Sequence, residues 1–247
     1  MQAEYQSPES RTAAAIEDSY SFIETVSGSS TWTRRREELP SDLFRYRVVK
    51  RSLDIFLILL AAPLLFLTLG AVALVVMLSS PGPIFYSHRR IRKNGAFFSM
   101  WKFRTMCVNS AEVLEEYLSH HPDARVEWNK THKLRHDPRI TPIGSFLRRY
   151  SLDELPQMWN VLAGHMSLVG PRPIVAAEVE KYADSFECYC RVRPGLTGLW
   201  QVSGRSELAY SERVALDCEY VNRWSMRKDF KILLKTFNVV INQDGAF

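Results

Sequence analysis

A long apolar segment constrains the fold of this 247-residue chain more than any other feature. Residues 55–78, IFLILLAAPLLFLTLGAVALVVML, are 24 residues without a charge. As a helix they would extend about 36 Å, enough to cross the hydrocarbon core of a bilayer. A secretory signal peptide would lie at the very N-terminus, whereas this segment follows a polar stretch of more than fifty residues. The segment therefore predicts a membrane protein.

Composition divides the chain into three parts. Residues 1–45 are rich in Ser, Thr and Glu without a sustained apolar period, which predicts a disordered or weakly ordered cytosolic tail. Residues 46–80 contain the membrane segment, and residues 81–247 form the remaining domain. The whole chain has a globular balance of 46% hydrophobic and 24% charged residues. Its four cysteines lack the paired spacing of a zinc site and are expected to be reduced thiols.

Basic residues flank the apolar segment at both ends. Those before it are Arg45, Arg47, Lys50 and Arg51, and those after it are His88, Arg89, Arg90, Arg92 and Lys93. Because Lys and Arg are retained on the cytoplasmic side, both ends are predicted to be cytoplasmic. Pro63 removes a backbone donor inside the segment and predicts a bend. A re-entrant helix that returns to its starting face satisfies both observations, and a kinked single-pass anchor is the alternative.

Local patterns predict two further elements. Aromatic and β-branched residues alternate over residues 82–106 around Asn94 and Gly95, which is a strong signal for a β-hairpin. Apolar residues at helical spacing predict a helix over residues 109–121. His120 and His121 are expected at its solvated end rather than as ligands.

Two adjacent carboxylates, Asp153 and Glu154, lie in the stretch YSLDELPQMWNVLAG of residues 150–164. The structural interpretation is a capping box between Ser151 and Glu154, at the start of a helix whose apolar residues 155, 158, 159 and 162 share one face. In the functional interpretation, the side chains of adjacent helical positions project about 100° apart, so the two acids cannot share one proton. They can instead perform two separate tasks, such as nucleophile and metal ligand. Spacing alone leaves both interpretations open.

Several arginines lie near these acids, most of them in turns stiffened by Pro or Gly. They are Arg148, Arg149, Arg172, Arg193 and Arg205. Planar guanidinium groups suit phosphate oxygens, and a stiff backbone aims them in advance, so the set predicts a polyphosphate site. The net charge of +5 does not indicate nucleic acid, because no nucleic-acid-binding motif accompanies it. Anionic lipid headgroups explain the basic residues beside the membrane segment better.

Several motifs, in order, resemble the bacterial sugar transferase family of polyprenyl-phosphate hexose-1-phosphate transferases. They are SPGPIFYSHRRIRKNG, KFRTM, DPRITPIGSFLRRYSLDELPQMWNVLAGHMSLVGPRP and RPGLTGLWQVSGR, followed by Asp217 and Tyr220. The resemblance covers roughly residues 48–245 and is to the short, monotopic, ExoY-like members, because no multi-helix membrane domain precedes the segment. It implies a mainly α, membrane-associated domain with a re-entrant N-terminal membrane helix, interfacial amphipathic helices and a small β-hairpin.

The resemblance also implies an activity. Such a phosphoglycosyl transferase moves hexose-1-phosphate from a UDP-hexose to undecaprenyl phosphate, releases UMP and uses Mg²⁺. Asp153 would be the nucleophile that forms a covalent phosphosugar adduct, and Glu154 would hold the metal together with Asp153. The re-entrant helix would break at Ala62 and Pro63, although many relatives carry Ser before this proline. Residues expected around the diphosphate, the uridine and the metal are Lys102, Arg104, Arg148, Arg172, Arg193, Gln201, Arg205 and Asp217.

The resemblance further implies a place on the cytoplasmic face of the bacterial inner membrane, at the first membrane step of exopolysaccharide biosynthesis. Expected partners are UDP-hexose, undecaprenyl phosphate, anionic membrane lipids and downstream glycosyltransferases. Nucleic acid is not expected as a partner, and a homodimer is left open. Glucose and galactose are both open as the hexose. The alternatives are a non-enzymatic membrane-anchored scaffold and another lipid-headgroup phosphotransferase, although the latter normally has several spanning segments.

Overall fold

The computed structural model describes residues 44–131, 133–204 and 208–242. The helices are α1 Arg51–Ser79, α2 Ser110–His120, α3 Pro122–Thr131, α4 Pro142–Arg149, α5 Gln157–Leu162, α6 Val179–Tyr182, α7 Phe186–Cys190, α8 Tyr210–Asn222 and α9 Met226–Asn242. The strands are β1 Phe85–Ile91, β2 Phe97–Phe103, β3 Ser167–Val169 and β4 Gly195–Thr197. The predicted mainly helical fold is confirmed. The tail predicted for residues 1–45 lies almost entirely outside the described residues.

The apolar segment forms helix α1, which follows a π-helical turn, Arg45–Lys50. Tyr46–Ser79 is the one helix among the described residues that is long and apolar enough to cross a membrane. Little of it is covered by the rest of the protein. Pro63 lies inside α1, and the helix continues on both sides of it. A bend at Ala62 and Pro63, and a return to the starting face, stay predictions.

Both ends of α1 contact the same globular domain. Near its first turn, Asp54 accepts hydrogen bonds from Ser167 Oγ at 2.7 Å and from the Leu168 amide at 3.2 Å. Near its last turn, Val76 is buried in a cluster with Leu147 of α4. A 29-residue helix is about 43 Å long, so α1 lies along the domain between these two attachments. Its outer face exposes large apolar side chains, among them Leu60, Leu64, Phe66, Leu67 and Leu78.

A buried ion pair fixes the N-terminal end of α1. Lys50 Nζ lies 2.7 Å from Asp229 Oδ2 on α9, and both side chains are almost fully buried. The Tyr220 hydroxyl and Trp224 Nε1 donate to the same carboxylate at 2.8 and 3.0 Å. Lys50 therefore faces the interior of the domain rather than lipid headgroups. This corrects part of the prediction from the flanking basic residues, since Lys50 is neutralised inside the protein.

Two local predictions are confirmed. β1 and β2 pair as an antiparallel hairpin along their whole length. At its tip, Asn94 and Gly95 have φ values of 64° and 71°, a left-handed conformation that these residue types adopt at low cost. The helix predicted over residues 109–121 is present as α2, and His120 and His121 lie at its exposed end.

A second small sheet had no counterpart in the sequence interpretation. β3 and β4 form a parallel pair in which Ser167 lies opposite Gly195. The two segments approach so closely that a Cβ atom on Gly195 would collide with Gly170. This pair positions the loop after β3, which carries Arg172. The largest core cluster joins the first half of α1 with β2, α5, β3, α8 and α9.

Candidate active site

The backbone holds Asp153 and Glu154 in a short 3₁₀ turn, Leu152–Glu154, between α4 and α5. Ser151 precedes it with a left-handed φ of 56°, and its side chain makes no capping hydrogen bond. The capping box predicted between Ser151 and Glu154 is therefore wrong. The left-handed residue redirects the chain after α4, and the turn that follows brings both carboxylates to β2.

Lys102 on β2 contacts both carboxylates. Its Nζ lies 2.6 Å from Glu154 Oε1 and 3.5 Å from Asp153 Oδ2. The two acids therefore meet at one cation, although they occupy adjacent positions in the chain. The separate tasks predicted for them would be performed within a few ångströms of each other.

The two carboxyl groups differ in their affinity for a proton. Burial raises the pKa of Asp153, which is 6% exposed, while Lys102 and Arg148 oppose that rise. Burial also acts upwards on Glu154, but the positive charges of Lys102 and Arg172 outweigh it and lower the pKa of that group. Glu154 is thus the more readily ionised of the two and suits a ligand role. Asp153 is the more basic carboxylate, which suits a nucleophile.

The helix after the acids packs Met158 and Leu162 against the core, as its apolar spacing predicted, but not Trp159. In α5, Gln157 and Asn160 are buried, whereas Trp159 is 67% exposed. The Asn160 side chain donates to the Ser99 carbonyl at 2.8 Å and accepts from the Trp101 amide at 3.0 Å. These two bonds fasten α5 to β2. The predicted apolar face is therefore wrong at Trp159, because a buried amide rather than an aromatic ring makes the contact.

A cavity of about 900 Å³ opens beside the acids. Its lining includes most of the predicted site residues, namely Asp153, Glu154, Lys102, Arg104, Arg148, Arg172 and Gln201. Lysine and arginine side chains in the lining outnumber the acidic ones. A cavity of this size and charge suits a polyphosphate ligand.

Arg104 uses much of its donor capacity inside the protein. Its Nη1 donates to the Pro83 carbonyl and its Nη2 to the Ser80 carbonyl, both at 2.6 Å. Ser80 directly follows α1, so Arg104 ties the end of α1 to the end of β2. The side chain borders the cavity, but these hydrogen bonds give it a structural task as well.

Two of the predicted site residues that the structure describes do not line the cavity. Arg193 Nε donates to the Gly164 carbonyl at 2.9 Å, away from the cavity wall. Asp217 is 1% exposed, accepts a hydrogen bond from the Tyr182 hydroxyl at 2.7 Å, and has its pKa raised by burial to about 8. Tyr182 itself lines the cavity, so Asp217 lies behind the wall. Arg205 lies outside the described residues.

The sequence interpretation missed several cavity residues. They are Arg90, Lys133, Arg139, Tyr210 and Arg213. The predicted hairpin could have indicated that Arg90 reaches the cavity. Tyr86 pairs with Lys102 across the hairpin. Because side chains alternate along a strand, residues 86, 88 and 90 share the face of Lys102. The others are brought to the cavity by tertiary folding, which no local pattern indicates.

Arg90 holds the loop that carries Arg172. Its Nη1 donates to the Pro173 carbonyl at 3.1 Å and lies 3.7 Å from Glu178 Oε2. Glu178 in turn accepts from the Val175 amide at 3.0 Å. Both side chains line the cavity. The loop after β3 is therefore fixed from two sides, which fixes the backbone of Arg172.

The chain belongs to the bacterial sugar transferase family, whose pattern it matches over residues 45–243. The resemblance found in the sequence motifs is confirmed. The acids, the lysine between them and the arginine-lined cavity all lie within the matched region.

Characterised relatives carry names that refer to lipid-linked sugar transfer. The chain is 48% identical over 204 residues to the exopolysaccharide production protein ExoY of Sinorhizobium fredii, which covers 81% of this chain and 88% of that protein. It is 47% identical over 205 residues to the undecaprenyl-phosphate galactose phosphotransferase of Salmonella typhimurium, covering 81% of this chain and 42% of the relative. It is 42% identical over 198 residues to the UDP-glucose:undecaprenyl-phosphate glucose-1-phosphate transferase of Escherichia coli, covering 77% and 39%. The chain thus spans about two fifths of the length of the last two proteins.

Proposed function

We propose that the protein is a phosphoglycosyl transferase that moves hexose-1-phosphate from a UDP-hexose to undecaprenyl phosphate and releases UMP. The observation that carries the proposal is the adjacent pair Asp153 and Glu154, joined by Lys102 and facing a cavity rich in arginine. The names of relatives, which refer to undecaprenyl phosphate with galactose or glucose, support it. The product would begin an exopolysaccharide unit, and downstream glycosyltransferases would extend it.

The reaction consists of two displacements at one phosphorus atom. A carboxylate oxygen of Asp153 attacks the phosphorus that bears the hexose, and the bond from this phosphorus to the oxygen of UMP breaks. UMP leaves with the electron pair, and an acyl phosphate joins Asp153 to the hexose. An oxygen of undecaprenyl phosphate then attacks the same phosphorus, the acyl phosphate bond breaks, and the carboxylate is regenerated. Both nucleophiles are anions, so neither step needs a general base.

The two carboxylates fit Mg²⁺. Their oxygen atoms converge on one cation, the Lys102 ammonium, and carboxylate oxygens are the protein ligands that Mg²⁺ prefers. Magnesium is commonly held by one or two carboxylates, with water and substrate phosphates completing its shell. Asp153 and Glu154 would hold the ion, which would offset the negative charge of the diphosphate. Arg172 and Lys102 add fixed positive charge on the same side of the cavity.

The domain sits on the cytoplasmic face of the bacterial inner membrane, with α1 as a re-entrant helix that bends at Pro63. The attachments of α1 through Asp54 and Val76 to one domain support insertion from a single face. UDP-sugars are cytosolic, which requires the cavity on that side. Helix α9 supplies an amphipathic surface suited to the membrane interface, where it exposes Phe230, Leu234 and Phe237.

The covalent step predicts that UMP is released before any acceptor is added. Purified protein with Mg²⁺ and UDP-hexose should release UMP in an amount no greater than the enzyme present, because the acyl phosphate waits for its second substrate. Asp153→Asn should abolish both this burst and steady turnover, since an amide does not displace UMP. An unchanged melting temperature of the variant would show that it folds.

Strict dependence of UMP release on the acceptor would contradict the covalent intermediate. Full turnover by Asp153→Asn would contradict the assignment of the nucleophile. Release of no UMP from any UDP-sugar, with or without acceptor, would favour a membrane scaffold. The same burst measured with UDP-glucose and with UDP-galactose would identify the hexose, for which relatives named after either sugar leave both open.

A further inference from the structure

Arg148 occupies the last turn of α4, just before the turn that carries Asp153. Its Nε donates to Thr105 Oγ1 at 2.9 Å. Within the described part of the chain, its two terminal nitrogens have no hydrogen-bond partner. The guanidinium lines the cavity and interacts electrostatically with Asp153. A half-buried guanidinium with two free terminal nitrogens suits a phosphate group.

Close packing of α4 against the end of β2 fixes this position. A Cβ atom on Gly144 would collide with the Thr105 carbonyl, so glycine allows the two backbones to touch. The Thr141 amide donates to the same carbonyl at 3.0 Å. The helix that carries Arg148 is therefore held directly beside the residue that orients its guanidinium.

The same helix packs against the membrane helix. Leu147, the neighbour of Arg148, is 2% exposed and is buried with Val76 of α1. Phe85 and Val108 line the cavity and remain exposed. Arg148 thus stands on the side of the cavity that adjoins α1 and an apolar rim. A lipid chain would approach the nucleophile from this side.

Other cavity residues have a different character. Lys133, Arg172 and Arg213 are close enough to interact electrostatically. The Arg213 guanidinium lies over the Trp200 ring at 5.0 Å, and Tyr210 lines the cavity with them. Cations combined with aromatic rings suit the diphosphate and the base of a nucleotide. The cavity therefore offers chemically distinct surroundings to two phosphorylated substrates.

We propose that Arg148 binds the phosphate monoester of the polyprenyl acceptor and orients it for attack on the phosphosugar at Asp153. The inference rests on the proposed function and assigns one residue to its second displacement. An oxygen of the monoester forms a bond to phosphorus, the acyl phosphate bond breaks, and the electron pair returns to Asp153. Arg148 offsets the negative charge of the incoming monoester and contributes more to this second displacement than to the release of UMP.

Arg148→Gln tests this assignment by separating the two half-reactions. The UMP burst is measured without acceptor, and undecaprenyl phosphate is then added to measure formation of the lipid-linked sugar. The transfer rate should fall by at least about tenfold more than the burst rate, as expected for loss of one charge-assisted hydrogen bond. Arg149→Gln is the matched control, because Arg149 is the exposed neighbour outside the cavity lining.

Equal slowing of both half-reactions, or an unchanged transfer, would overturn the assignment. If the unmodified protein gives no burst, the covalent step of the proposed function is contradicted. The role of Arg148 is then tested by steady-state kinetics of the Arg148→Gln variant. The variant should then raise KM for undecaprenyl phosphate more than KM for UDP-hexose, and an equal rise in both would overturn the assignment. Inorganic phosphate should discharge the adduct poorly, and efficient discharge would overturn recognition of a lipid-borne monoester.

Thr105→Val provides a second variant that keeps the charge of Arg148. It removes the acceptor that orients Nε and preserves the shape of the buried side chain. The transfer rate should fall by about threefold to tenfold more than the burst rate. If the contact between Thr105 and Arg148 were merely structural, the rates of both half-reactions would fall by the same factor.

Discussion

Lys102 stabilises the ionised forms of both carboxylates that it contacts. Burial raises the pKa of Asp153, and Lys102 is the strongest charge that opposes this rise. Burial also favours a higher pKa for Glu154, but nearby positive charges lower it, and Lys102 contributes most to that lowering. Lys102→Met should therefore raise both pKa values. Because Asp153 attacks as a carboxylate, the acidic limb of the pH–rate profile of UMP release should move to higher pH.

Single-turnover UMP release, measured from acidic to neutral pH, checks this shift. Lys130→Met, on the exposed surface of α3, is the control and should leave the profile in place. An acidic limb that stays still or moves to lower pH in Lys102→Met would show that the ammonium does not control the nucleophile.

At the level of residues, the sequence indicated which residue types form the site more reliably than which of these residues reach the cavity. The adjacent acids and the arginine-rich turns are local features, so Asp153, Glu154 and Arg172 could be selected in advance. The same reasoning selected Arg193, whose guanidinium instead holds a carbonyl at the end of α5. A guanidinium suits a carbonyl as well as a phosphate, and only tertiary packing decides which it meets.

Elements formed by local chemistry were predictable, and those formed by distant pairing were not. The hairpin follows from turn residues and strand alternation, and α2 follows from helical spacing. β3 and β4 are strands of three residues that pair in parallel across an intervening loop and two helices. Their register depends on close backbone contact at Gly170 and Gly195, which becomes visible only in the folded chain.

The buried pair of Lys50 and Asp229 should control how firmly α9 holds the start of α1. Asp229→Asn would leave the Lys50 ammonium buried, with Asp54 at 4.0 Å as its remaining ionic neighbour among the described residues. We expect a loss of about 3 to 5 kcal/mol in the free energy of unfolding. Thermal melting of the purified protein in detergent would show this loss as a lower melting temperature.

Two comparisons test the cause of that destabilisation. Lys228 and Glu219 form a pair at 3.1 Å on the surface, and Glu219→Gln should cost less than about 1 kcal/mol. Adding Lys50→Met to Asp229→Asn should restore part of the lost stability, because the unpaired ammonium is removed. The restoration is only partial, because the buried Asp54 keeps its hydrogen bonds from Ser167 and Leu168 but loses its ionic partner. A similar melting temperature for the single and double variants would contradict the role of the ammonium.

At the scale of the whole molecule, the attachments of α1 constrain its topology. A spanning helix would carry one end to the far side of the membrane and separate it from the domain. The chain would then lose either the Lys50 and Asp54 contacts at the first end or the Val76 packing at the second. The flanking basic residues are weaker support, since Lys50 is paired inside the protein. The attachments therefore favour the proposed topology, in which both ends of the helix lie on the same side of the membrane.

Labelling of single cysteines tests this topology in cells. In a background without Cys107, Cys188, Cys190 and Cys218, Tyr20→Cys reports on the chain before α1, and Glu112→Cys on α2 reports on the domain. A membrane-impermeant maleimide should modify neither cysteine in intact cells and both after the membrane is permeabilised. Reaction of Tyr20→Cys alone in intact cells would mean that α1 crosses the bilayer. In that case Lys50, which precedes α1, could not stay paired with Asp229 in the cytosolic domain, so the labelling and the melting experiments test the same attachment independently.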